Sequence, residues 1–175
     1  MFHSPLTQLF LDHWRGLRVG DELPTAADYL DRIDPRIAPL LIMFDCGAVD
    51  VIIRFQGTRV VERWRADRTG QSWLDTKPPH KRASVLANMH DCAARPCGVW
   101  ARSAAVARSG AAVRQENLTL PLAMPPDRAR RLVLLSTQLE PARERDDPYD
   151  HTQKQAIDWF DVGFGTPPRP LRRLD

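Results

Sequence analysis

The apolar positions of this chain change period along its length. Leu6, Leu9, Phe10, His13, Trp14 and Leu17 recur at spacings of three and four, the stripe of an amphipathic helix over residues 5–17. Ser4 can cap that helix and Pro5 suits its first turn. Residues 21–39 carry Pro24, Pro35 and Pro39 and read as a connector, with a helical turn capped by Thr25 and a further start at Asp34-Pro35. Residues 40–45 form a continuous apolar run, the pattern of a central strand, and 51–55 are its short β-branched partner across the turn 46–50. Gly57 permits a sharp corner out of the sheet, after which Thr58 caps a helical stretch to Arg65. Residues 65–70 turn, Ser72-Trp73-Leu74 start a short helix, and 81–94 form the main central helix. Its expected buried face is Ala83, Leu86, Ala87, Met89, His90 and Ala93, and Pro96 and Gly98 end it.

Three further strands follow, at 99–107, 113–122 and 131–139, separated by turns at Ser109-Gly110 and at 124–127. In the last strand Leu132, Leu134, Ser136 and Gln138 alternate with Val133, Leu135, Thr137 and Leu139, so both faces are largely apolar, as in a central strand. Residues 141–149 are charged and Pro-punctuated and read as linker, and 152–160 as a short helix. Residues 163–175 hold Pro167, Pro168 and Pro170 among arginines and read as mobile unless a partner orders them. The order of elements predicts an α+β fold: one five-stranded antiparallel sheet with helices on one face, plus an N-terminal helix and a C-terminal tail. The expected organisation is 1–36 helix and connector, 37–140 domain, and 141–175 linker, short helix and tail.

Composition narrows the class. The 175 residues suit one domain, and 43% hydrophobic residues suffice for a packed core. No apolar run approaches the roughly 18 residues of a membrane helix, and residues 1–5 carry no export signal, so a cytoplasmic protein with no membrane partner is expected. Cys46, Cys92 and Cys97 form no C-x-x-C pair and read as reduced, buried thiols. A net charge of +3 falls well short of a nucleic-acid-binding protein, although Arg169, Arg172 and Arg173 could dock an acidic partner.

Several short motifs occur in a telling order: Trp14, Gly20, Pro24, Asp34-Pro35 and Pro39-Leu40-Leu41, then Arg54-Phe55-Gln56-Gly57-Thr58, Asp67-Arg68-Thr69-Gly70 and Leu120-Pro121-Leu122. On these residues the stretch 10–140 resembles the PAS domain superfamily, and more closely the stand-alone PAS-like proteins of alphaproteobacteria. One departure is Arg65, which stands where that family has Gly, two residues before the Asp of the turn. The resemblance implies a sensory or regulatory signalling module, with any ligand pocket between the sheet and the helix at 81–94.

The candidate chemistry is that of binding. Trp73, Leu86, His90 and Trp100 are the candidate ligand-binding residues, and the His90 imidazole is the one side chain that could ligate a haem iron, although the sequence names no cofactor. The stripe Leu6, Leu9, Phe10, His13 and Trp14 needs a cover: it folds back on the domain or forms the interface of a homodimer. No G-x-S-x-G, Walker loop or H-E-x-x-H occurs, nor any paired metal-ligand spacing, so no catalytic or metal residues are assigned and a non-enzymatic protein is expected. Signalling would then run through a protein partner.

Overall fold

The computed structural model describes residues 2–107, 112–124, 130–139, 149–168 and 170–171. The expected turn at Ser109-Gly110, most of the turn at 124–127 and residues 141–148 of the linker lie outside them. Four α-helices occur among the described residues: α1 (Pro5–Gly16), α2 (Ala26–Asp31), α3 (Thr58–Trp64) and α4 (Pro79–Ala94). The strands are β1 (Leu41–Cys46), β2 (Val51–Gln56), β3 (Gly98–Ala107), β4 (Ala112–Leu122), β5 (Arg130–Gln138) and β6 (Tyr149–Phe160). They form one sheet in the order β2-β1-β5-β4-β3-β6, every neighbouring pair antiparallel.

Local signals explain most of these elements. Ser4 Oγ accepts the N–H of Leu6 at 3.2 Å and starts α1, with Pro5 at the first helical position. Thr25 Oγ1 accepts the N–H of Asp28 at 3.1 Å and starts α2. The corner after β2 needs its glycine, because a Cβ on Gly57 would lie 2.4 Å from the Ala38 carbonyl oxygen and from Pro39 backbone atoms. Gly57 is itself the cap of α3, and Thr58 is the first helical residue and not the cap. After α3 the chain returns along the outer edge of β2. Ile53 N–H donates to Gln71 O at 3.0 Å, and Gly70 N–H to Ile53 O at 2.8 Å. That edge is therefore covered.

The sheet is covered on both faces, not on one. Leu41 and Met43 of β1, Leu118, Leu120 and Leu122 of β4, and Val133 and Leu135 of β5 pack with Phe10, Leu11 and Trp14 of α1 and Tyr29 of α2. The alternate positions Ile42, Phe44, Cys46 and Leu132 pack with Val60 of α3, Leu74, and Val85, Cys92 and Ala93 of α4. All six residues of β1 are buried, as a strand under two layers requires.

Three further expectations are corrected. Residues 149–160 are a sixth strand paired along β3, and no helix forms at 152–160. Phe160 packs in the α1-side core and Trp159 in the α4-side core, the alternation of a strand. Helix α4 is turned from its expected face: Val85, Asn88, Cys92 and Ala93 are buried, Leu86, Met89 and His90 half-buried, and Ala83 exposed. The start of the expected mobile tail is bonded to the domain: Gly163 and Gly165 to Asp161, Thr166 to Arg95, and the preceding Val162 to Arg18.

Candidate functional site

The layer between the sheet and α4 is where the resemblance implies any ligand pocket. Trp73 enters it from the segment along β2, its N–H donating to Val51 O at 2.7 Å. Its ring stacks on Trp64 at 5.4 Å and 21°, and meets Phe44 of β1 at 5.0 Å. The Lys77 ammonium lies 3.6 Å from the Trp73 ring centroid, a cation–π contact within the same segment. Trp64 reaches this stack because the chain reverses directly after it, with Arg65 in the left-handed region at φ 51° and ψ 26°. That conformation is the one glycine adopts without strain.

Leu86 and His90 belong to the same side of the sheet. Leu86 packs against the core formed by Phe44, Val85 and Leu132. His90 Nε2 lies 2.6 Å from Gly47 O in the β1–β2 turn. A carbonyl oxygen only accepts, so Nε2 is the donor in this contact. The imidazole thereby fastens α4 to the hairpin, and iron ligation through Nε2 would break that bond.

The cysteines share this core: Cys46 is 6% exposed, Cys92 and Cys97 are fully buried, and all three are free thiols. Cys92 donates to Cys97 O at 2.8 Å. Its thiol is pushed up by its hydrogen bond with Cys97 and by burial, and burial beside Asp45 pushes Cys46 up to about 12. Thiols held away from the thiolate are poor nucleophiles and suit packing.

Trp100 stands apart from Trp73, Leu86 and His90, because it lies under α1 on the opposite face of the sheet. Its indole N–H donates to Glu116 Oε1 at 3.1 Å. The four residues therefore do not line one site.

Glu116 is the residue that pattern reading misses. It is fully buried in β4 and accepts from His3 N–H at 3.0 Å, Ser4 N–H at 2.9 Å and Thr7 Oγ1 at 2.7 Å as well as from Trp100. Burial would raise its pKa, but the bonds from His3, Ser4, Thr7 and Trp100 outweigh it and hold the carboxyl below its ordinary value. Its negative charge sits at the N-terminus of α1, where the helix dipole favours it. The available signal is its spacing: Glu116 falls two and four residues before the inward-facing Leu118 and Leu120.

A second buried carboxylate among the described residues is Asp45, 8% exposed near the end of β1. It accepts Arg131 Nε at 2.7 Å and Arg54 Nε at 2.7 Å. These bonds outweigh its burial and lower its pKa.

The α1 stripe finds its cover within the chain. Phe10 and Trp14 are fully buried, and Trp14 Nε1 donates to Pro121 O at 2.8 Å. Leu6, Leu9 and His13 are half-buried, the last edge-on to Tyr29 at 4.9 Å. The stripe thus folds back on its own sheet, and the reason to assign these residues to a dimer interface falls away.

A groove of about 470 Å³ opens elsewhere, lined by Asp91, Ala94, Arg95, Pro167 and Pro168. Among the described residues, no three His, Cys, Asp or Glu side chains converge to hold a metal ion, and no helix is long and apolar enough to cross a membrane. No family model matches the chain, and no curated protein matches it.

Proposed function

We propose that the chain is a non-enzymatic sensory or regulatory module of the PAS type, which passes its signal through contacts with another protein. The observation that carries this reading is the filled layer between the sheet and α4. Phe44, Trp64, Trp73, Leu74 and Val85 pack against one another there, which favours partner contact over a bound ligand. The order of two strands, helical segments and three strands, extended by a sixth strand paired with β3, with α4 across one face, supports the class. The fold alone fixes no activity, so the reading rests on the packing of this layer.

Sensing of haem through His90 is the weaker reading, because Nε2 is engaged by Gly47 O. A basic tail that docks an acidic partner rests on Arg169, Arg172 and Arg173, which lie outside the described residues.

The test is a native mass spectrum and an absorption spectrum of the protein isolated gently from its own host. The expected result is the chain in complex with a second polypeptide, with no Soret or flavin band. A stoichiometric small molecule on the isolated chain would overturn the contact reading in favour of a ligand sensor.

A further inference from the structure

The segment after β6 touches both layers of the molecule. Asp161 Oδ1 accepts the N–H groups of Gly163 at 2.7 Å and Gly165 at 3.0 Å, closing a hook. Both glycines have positive φ, 109° and 77°, so the hook is a shape other residues would strain to make. Inside the hook Val162 is 3% exposed and belongs to the α1-side core.

Arg18, just past the end of α1, holds the hook from one side. Its Nη1 donates to Val162 O at 2.8 Å. Its guanidinium carbon lies 5.5 Å from the Trp14 ring centroid and 4.8 Å from that of Phe164. The side chain is only 16% exposed, so these contacts are poorly screened. Arg95, which ends α4, holds the segment from the other side, with Nη1 donating to Thr166 O at 3.1 Å. Pro167 is buried, and with Pro168 it faces Asp91 and Ala94 across the groove.

Helices α1 and α4 lie on opposite faces of the sheet, yet this one segment is bonded to the C-terminal end of each. We infer that residues 161–168 are a clasp around the β6 edge that couples the end of α1 to the end of α4. Movement of either end is carried to the other, and to the chain that leaves after Pro168. The purpose of the coupling rests on the signalling reading above. The coupling itself does not, because it is measured on the isolated chain with no partner present.

Asp161 is the residue to change, because its carboxylate bonds the hook at Gly163 and Gly165. Hydrogen exchange of the full chain is compared with that of Asp161→Ala. Coupling predicts faster exchange, by about fivefold or more, at residues 15–18 and at 91–97 together, with the β1–β2 hairpin unchanged. A rise confined to 161–168, a rise at one helix end only, or a uniform rise across the sheet each overturns the clasp. Arg95→Ala supplies the reciprocal test, since coupling requires it to speed exchange at residues 15–18. No change there overturns the clasp, whatever native mass spectrometry says of a partner.

Discussion

The two faces of the sheet are closed by different means. Under α1 the contacts are directional: four donors converge on Glu116, the Trp14 indole is bonded to Pro121 O, and Phe10, Leu11 and Trp14 are 2% exposed or less. Under α3 and α4 the contacts are softer. Trp64, Trp73, Leu86 and Met89 are half-buried, three thiols fill the core, and the side-chain bonds are scattered: His90 to Gly47 O, Arg63 to Ser136 and Arg130 to Ala93 O. Directional bonds to a buried charge admit one arrangement, whereas aromatic and thiol packing can yield and repack. The α1 face is therefore expected to be the more rigid of the two, and the α4 face the one that opens first.

Substitutions can break this contrast, and the largest effect falls under α1. Trp14→Ala should cost about 3–5 kcal/mol in urea denaturation, against about 1–3 for the half-buried Trp73→Ala. Equal losses would mean the faces are equally rigid. Glu116→Gln should cost about 2–4 kcal/mol, because it removes a buried charge and turns an amide NH2 toward N–H groups of His3 and Trp100, or of Ser4, that cannot accept from it. Its pH signature sharpens the assignment. The folded pKa of Glu116 is depressed, so its stabilisation is fully present above the unfolded value of about 4.3 and is lost as pH falls through the folded pKa. The wild type should therefore lose more stability between about pH 5 and pH 3 than Glu116→Gln does.

Smaller effects belong to the α4 side. His90→Ala should cost about 1 kcal/mol, the worth of one hydrogen bond, with exchange rising in the β1–β2 turn. A loss near that of Glu116→Gln would place a second anchor on the softer face. Arg65→Gly should raise stability by about 0.5–1 kcal/mol, because φ 51° strains a side chain and leaves glycine relaxed. A loss in its place would mean that the Arg65 side chain holds the end of α3.

Much of this frame is legible in the order of residues. Strands β1 to β5 are apolar enough to be read within a residue or two of their observed ends, and Ser4-Pro5 and Thr25 mark their helices through chemistry local to them. What pattern reading misses depends on partners distant in sequence. Strand β6 carries polar residues and departs from regular pairing opposite Arg102 and Ser103, so its alternation shows only against β3. Trp100 has apolar neighbours on both sides in β3, and its pairing with Leu118 is what sets it under α1. The buried face of α4 centres on Asn88, a polar residue that apolar counting passes over. The α1 stripe is visible, but its cover is the chain's own sheet.

Native-state hydrogen exchange of the unmodified chain tests the contrast most directly. The backbone amides of α1 should exchange at rates close to those of the central strands β1 and β5, and those of α3 and α4 at least about tenfold faster. Exchange of α4 as slow as the central strands, with α1 opening first, would contradict it.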